Sequence, residues 1–376
     1  MTDREWAGEV REKILQKYEA VAPRNEHKVP YSAKNGVFDD HSKDIAWWTN
    51  GFWGGILWQL YKVTEKPLYR SMAEELESKM DEIFLHSAWM DHDSGFRWLP
   101  TASADYTLTG SEEAKNRIRI AADNLAGRFN LNGRFIRAWN EDPRSENKRT
   151  GWAIIDCMMN LPLLYRASDL FDDPRWKAIA VAHADTAMTA FIRPDGSSNH
   201  IVAFDPVKGG VVRTYGGQGI QVGSSWTRGQ TWALYGFTLS YVHTKDEKYL
   251  ATARKVADRY IERIPADGRI PVDFDQAPDC DWEDETSAAI AACGLLTLEK
   301  ILADTDPAAA DRYHAAAMRL LKVLVADGNF DPAADEILDR CSGAYHDKEH
   351  NFPIIYGDYY LIEAIWKLTG DELFIW

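Results

Sequence analysis

A two-helix unit recurs along this chain, and that recurrence constrains the fold more than any other feature. A polar or glycine-containing lead-in enters an apolar helix, a short turn of Asp, Pro, Thr, Lys or Glu follows, and a more charged helix returns. Clear copies are WTNGFWGGILWQLYKVTEKPLY from Trp48, GWAIIDCMMNLPLLYRASDLFDDPRW from Gly151, WTRGQTWALYGFTLSYVHTKDEKYL from Trp226 and DETSAAIAACGLLTLEKILADTDPAAADRY from Asp284. YGDYYLIEAIWKLTGDEL from Tyr356 closes the series, and TASADYTLTGSEEAKNRI from Thr101 is a weaker copy. A repeated unit cannot bury its apolar face alone, so neighbouring units must do it. The first helix of each pair is apolar around most of its circumference, which implies burial on several sides. The second is amphipathic: in YLATARKVADRYIERI, Leu250, Ala253, Val256, Tyr260 and Ile261 roughly follow i, i+3, i+4 spacing while Lys255, Asp258 and Arg259 face away.

The last copy lacks a second helix, and the N-terminal segment REWAGEVREKILQKYEAV can supply it. Twelve helices then close into an all-α (α/α)6 barrel, apolar helices inside and amphipathic ones outside, as one domain over residues 1–376. An open solenoid is the alternative. Long segments rich in Gly, Pro, Asn, Asp and aromatics argue for closure: 129–150, 194–225, 265–283 and 327–355. All lead from an outer helix into the next inner one, so they gather at one end of the ring, where loops on a rigid scaffold carry function.

A net charge of −15 argues against general nucleic-acid or anionic-membrane binding. The opening MTDREWAGEV lacks the apolar stretch of a signal peptide, and no apolar run is long enough to span a membrane. Cys157, Cys280, Cys293 and Cys341 show no Cys-x-x-Cys spacing, which fits reduced thiols in a cytoplasmic protein. Of the 15 Trp residues, most are expected in the core and the rest as flat platforms for sugar rings.

Two carboxylates draw attention. Asp156 stands between Ile155 and Cys157, followed by Met158, Met159 and Leu161, in the first turns of an expected inner helix. Desolvation among apolar groups raises a carboxyl pKa, whereas a helix N-terminus lowers it. A carboxyl that keeps its proton near neutral pH suits a general acid; an internally hydrogen-bonded Asp is the plainer alternative. In MDHDSGFRW, Asp91 and Asp93 flank His92 ahead of the second inner helix, and paired carboxylates are what glycosidic hydrolysis commonly uses. An Asx-turn without chemistry is the alternative there. The segment RTYGGQGIQVGSSWTRGQTW offers Gln218, Gln221, Ser224 and Arg228 among Trp226 and Trp232; Arg suits bidentate binding of a carboxylate. Its glycines lack a preceding strand pattern or a Gly-Lys-Ser/Thr sequence, which disfavours phosphate binding. No His-Glu-x-x-His or Cys/His ligand spacing calls for a metal, no cofactor is implied, and no Gly-x-Ser-x-Gly elbow supports Ser-His-Asp chemistry.

Taken together, WWTNGFWGGILW, HDSGF, GWAIIDCMMNLPLL, SSNHIVAFDP, SSWTRGQTWALYG, DETSAAIAACGLL and IYGDYYLIEA resemble the unsaturated glucuronyl hydrolases of glycoside hydrolase family 88, from about Trp47 to the C-terminus. Family 105 shares the fold but usually carries a Gly-Arg-Gly-Asn-Gly-Trp type sequence where this chain has TRGQTW. The resemblance implies an (α/α)6 barrel acting on lyase-generated oligosaccharides that end in an unsaturated uronate. It implies hydration of the C4=C5 double bond, with Asp156 as the general acid that protonates C4 and then helps activate water, and Asp93 as the second essential carboxylate. It marks Trp139, His200, Gln218, Trp226 and Arg228 as substrate contacts, with Trp48, Asn50, His92, Tyr345 and His346 as neighbours. Trp232, from the same WTRGQTW segment, joins the expected substrate-binding set. Ser94 departs from the His-Asp-Ile-Gly-Phe common in that family. A sugar isomerase on the same ring would rest on His residues of inner helices, yet His183 falls on an outer helix and His243 at a helix end. A non-catalytic sugar-binding protein would not need Asp156 among apolar residues.

Overall fold

The turns that divide inner from outer helices are written locally. Glu65, Asp172 and Lys245 each adopt positive φ at a helix C-cap, and Gly110 does the same with no steric cost. The next helix then starts on Pro67, Pro174 or Pro307 in its first turn, or under a side-chain cap from Ser111, Asp173, Asp246 or Asp306. Each hairpin therefore returns the chain to the end it left, and successive first helices run in the same direction.

The computed structural model describes residues 1–141 and 148–376. Its inner rods are α2 (Asn50–Thr64); α4 (Ser94–Trp98) joined through a π turn at Leu99–Ser103 to α5 (Ala104–Thr109); α7 (Leu161–Phe171); α9 (Thr227–Thr244); α11 (Glu285–Leu302); and α13 (Ile355–Thr369). The outer rods are α1 (Asp3–Arg24), α3 (Pro67–Met80), α6 (Glu112–Gly127), α8 (Pro174–Ala190), α10 (Glu247–Arg263) and α12 (Pro307–Asp327). α13 packs on α11 and α2, which closes the ring, and α1 packs on α13 as its outer partner. This is the (α/α)6 barrel. Two inner glycines permit the close approach: a Cβ on Gly294 would lie 2.2 Å from Leu234 Cδ2, and one on Gly55 would lie 2.6 Å from Tyr359. Trp53, Trp58, Trp232, Trp366 and Trp376 are among the fully buried side chains that fill the centre.

The loop end holds structure that helical periodicity does not announce. β1 (Ala33–Lys34) pairs with β2 (Val37–Phe38), and β3 (Phe129–Asn130) with β4 (Phe135–Ile136). β5 (Trp152–Ile154), β6 (Ile201–Phe204) and β7 (Val211–Tyr215) form an antiparallel sheet, so a strand does precede the glycine loop after Tyr215. Two boundaries also move. The second inner rod starts at Ser94 rather than Thr101, and Asp156 lies in a 3-10 turn, Ile155–Met159, ahead of α7 rather than within an α-helix.

Candidate active site

Both candidate carboxylates sit where inner rods begin. Asp93 is the N-cap residue of α4 and Asp156 occupies the 3-10 turn before α7; each is only 8% exposed. Asn160 joins them. Its Oδ1 accepts the Phe96 backbone N–H at 2.8 Å, and its Nδ2 donates to the Asp156 carbonyl at 3.3 Å. Gly95 is required for this docking, since a Cβ there would stand 2.5 Å from Asn160 Cα. Asp91 braces the same corner: its Oδ1 accepts the Asp93 N–H at 3.0 Å and pairs with Arg97 Nη1 at 2.9 Å.

The two carboxyls are pushed in opposite directions. Burial, then the negative charge of Asp91, drives the Asp93 carboxyl well above the usual range against the opposing pull of Arg97. Burial also raises Asp156, but the neighbouring His200 and the Arg228 charge outweigh it and bring that carboxyl below its ordinary value. The expectation that apolar neighbours raise Asp156 is therefore corrected: His200 and Arg228, brought in from distant segments, hold it low, and Asp93 is the carboxyl that burial raises. His92 is neutral, drawn down to about 4 by burial.

His200 faces Asp156 in a fixed tautomer. Its Nδ1 accepts the Gln218 backbone N–H at 2.9 Å, so the ring proton sits on Nε2, 3.5 Å from Asp156 Oδ1. The ring lies against Trp226 with centroids 4.4 Å apart. Gly217 makes the contact possible. Its φ is +60°, and a Cβ would fall 1.9 Å from His200 Nδ1. Several buried polar atoms here have no hydrogen-bond partner: both ring nitrogens of His92, Asp156 Oδ1, His200 Nε2 and Trp226 Nε1. Buried polar atoms are normally paired, so this concentration marks where a polar ligand would complete the bonding.

Aromatic residues form the surrounding wall. Trp48 packs against Tyr356 and Phe96 at 5.1 and 5.4 Å between centroids, and Trp139 approaches His92 edge-on at 6.4 Å. Both remain partly exposed, as a stacking platform needs. Trp232 does not: it is fully buried between Phe96 and Tyr360, so it is a core residue. Asn50 is also fully buried, its amide donating to the carbonyls of Asp44 and Ile45 while its Oδ1 stays unpaired.

Arg228 has a different place from the one expected. Its Nη1 pairs with Asp284 Oδ2 and donates to the Ser342 carbonyl, each at 2.6 Å, and its Nη2 donates to the Gly343 carbonyl. The guanidinium also covers the Trp226 ring at 4.7 Å. It is thus already engaged rather than an open carboxylate clamp, and it fixes Trp226 and the 342–345 segment beside Asp156. Gln218 serves the same segment, its Nε2 donating to the Gly343 carbonyl and its own carbonyl accepting the Tyr345 N–H at 2.8 Å. Tyr345 packs on Trp282, and His346 Nε2 meets the Ile220 carbonyl at 2.8 Å on the exposed rim. Sequence reasoning missed Asn160, Gly217 and Asp284. The first was visible as an amide four residues after Asp156; the other two gave no local signal.

A family profile described as Glycosyl Hydrolase Family 88 matches residues 16–264. The chain is 36% identical over 338 residues to an unsaturated glucuronyl hydrolase of Bacillus sp. strain GL1, covering 88% of each chain. It is 32% identical to an unsaturated chondroitin disaccharide hydrolase of Streptococcus pneumoniae, covering 89% of this chain and 84% of that one. A solved unsaturated glucuronyl hydrolase variant with dGlcA-Glc-Rha-Glc superposes with a TM-score of 0.87 at 31% identity, covering 94% of both chains. With its twelve rods, its paired carboxylates and these matches, the chain belongs to glycosyl hydrolase family 88.

Proposed function

We propose that this protein is an unsaturated glucuronyl hydrolase. It hydrates the C4=C5 double bond of a uronate at the non-reducing end of short oligosaccharides. The observation that carries this reading is the Asp93–Asp156 pair, two buried carboxyls with opposite protonation tendencies beside unpaired histidine and tryptophan nitrogens. The relatives named for this activity supply the substrate class.

The chemistry follows from the vinyl ether. Electron density pushed from the ring oxygen makes C4 basic, so a carboxyl protonates C4 and leaves positive charge shared between C5 and the ring oxygen. Water adds at C5 as its proton passes to a carboxylate. The hemiketal opens to a ketone at C5, and the hemiacetal left at C1 releases the neighbouring sugar. Their surroundings set the two carboxyls apart: burial and the neighbouring Asp91 raise Asp93, whereas Asp156 is held low in the absence of substrate. A uronate carboxylate arriving beside Asp156 adds negative charge there and raises its pKa, which makes Asp156 the protonated group when C4 needs it. After transfer, ionised Asp156 accepts the proton of the attacking water, and Asp93 steadies the cationic ring. The inner rods all begin at this end, so their N-terminal dipoles favour an anionic substrate within a chain of net charge −15.

Among the described residues no helix is long and apolar enough to cross a membrane, and the four cysteines are unpaired. We place the enzyme in the cytoplasm, acting on imported fragments. The experiment follows the ultraviolet absorbance of the conjugated uronate on unsaturated disaccharides from chondroitin, heparin, hyaluronan and rhamnogalacturonan. Loss of absorbance with the native enzyme and not with Asp156→Asn is expected. A folded native enzyme that consumes none of them would overturn the reading.

A further inference from the structure

Arg128 closes the C-terminal end of α6 and touches neither candidate carboxylate. Its guanidinium has an unusual set of partners: Nε donates to the Arg137 carbonyl at 2.9 Å, Nη1 to the Met90 carbonyl at 3.0 Å and to Asn140 Oδ1 at 2.9 Å, and Nη2 to the Ala138 carbonyl at 3.0 Å. Among the described residues no carboxylate pairs with it. One rigid guanidinium thereby ties three backbone carbonyls and the Asn140 amide oxygen into a single fixed geometry.

Those carbonyls belong to the two segments that carry the site. The Ala138 carbonyl also accepts the His92 N–H at 3.1 Å, and the Ala138 N–H donates to the Trp152 carbonyl at 2.8 Å. One residue, Ala138, thus joins the His92–Asp93 corner to β5, the strand that delivers Asp156, and its neighbour Trp139 stands over His92. Asn140 doubles the link, its Nδ2 donating to the Met90 carbonyl at 2.9 Å. We propose that Arg128 is a positioning residue that sets the spacing between the Asp93 corner and the Trp139–Asp156 side by clamping Met90 and Ala138 with one planar fork. Lysine cannot reproduce this, because an ammonium lacks the divergent fixed donors.

A surface cavity of about 660 Å³ reaches Arg128 past Met90, Arg137, Asn140 and Thr150, so a small cation can enter from solvent. That permits a readout beyond stability. In Arg128→Ala, kcat on an unsaturated disaccharide should fall about 100-fold, the scale of a misplacement near 1 Å, and guanidinium ion should restore about 10-fold while sodium chloride at equal ionic strength restores none. Arg128→Lys should stay folded by thermal melting yet lose at least about 10-fold in kcat. Full activity per folded molecule in Arg128→Lys, or a loss in Arg128→Ala that tracks only the unfolded fraction, would overturn the assignment. If Arg128→Ala does not fold, the lysine variant decides. The inference rests on the proposed hydration activity; an inactive native enzyme would refute that activity, whereas an active native enzyme with indifferent Arg128 variants refutes this inference alone.

Discussion

Glu363 and Asp156 are both buried carboxylates within one ring, and they are treated in opposite ways. Near the base, Glu363 accepts hydrogen bonds from Tyr235 Oη and from Trp376 Nε1 at 2.8 Å, with Lys367 Nζ at 3.5 Å. At the mouth, Asp156 Oδ1 has no hydrogen-bond partner and faces a histidine nitrogen 3.5 Å away that is also unpaired. A carboxylate whose partners are all supplied locks neighbouring rods together. A carboxylate left one partner short remains available to a reactant, and the fold carries the desolvation cost of that choice.

Mutating each end should separate stability from chemistry. Asp156→Asn is expected to lower turnover by about 10³-fold or more, read as loss of uronate absorbance, with a melting temperature close to native; a folded, active variant would remove Asp156 from the chemistry. At the base, Trp376→Ala should cost about 3–5 kcal/mol in denaturant unfolding while activity per folded molecule stays near native. A selective loss of kcat there would mean that the two ends are coupled. Gly217→Ala places a methyl against His200 in a positive-φ backbone, so kcat should drop about 10- to 100-fold with a smaller change in stability. Unchanged kinetics would show that the His200 tautomer does not matter.

Two pH measurements refine the contrast. The acid that protonates C4 must carry a proton; Asp156 is lowered in the free enzyme, and in the proposed mechanism bound uronate raises it. The fall of kcat/KM with rising pH should therefore begin at lower pH than the fall of kcat; coincident limbs would argue against substrate-induced protonation. The smallest effect concerns stability. Burial pushes Glu285 to about 8 and Asp358 to about 7. Both folded-state values lie above those of the unfolded chain, so the folded state binds more protons across the interval. The stability these groups contribute is fully present below their ordinary values of 4.5 and 3.8, falls as pH rises above them, and is lost by about pH 8. Melting temperatures should decline from about pH 4 to about pH 8, level off above that, and shift less in Glu285→Gln.

Much of the ring was legible because its information is local. Positive-φ caps, prolines at helix starts and the contrast between apolar and amphipathic helices act within a few residues, so the repeat could be read from the chain alone. The carboxylates stood out for the same reason, Asp156 by its apolar neighbours and Asp93 by the Asp-His-Asp run. What failed were statements about surroundings. Trp232 and Trp226 are six residues apart in one motif, yet one is sealed between Phe96 and Tyr360 and the other abuts His200. Arg228 read as an open clamp because its partner Asp284 lies 56 residues away. The short strands at the mouth were invisible for a related reason, since segments of two to five residues gain their identity from the partner they pair with.

The sequence by itself determined the inner and outer rods and the end at which the loops gather, and it singled out two carboxylates. Those properties follow from periodicity, capping and turn chemistry, which operate over a helical turn or two. Only the tertiary structure decided which carboxyl is raised and which is lowered, which His200 nitrogen accepts the Gln218 N–H, and that Arg228 is paired with Asp284. These depend on charges and backbone groups brought within about 3 Å from distant hairpins, and a pKa or a tautomer is set by that local field rather than by neighbours along the chain.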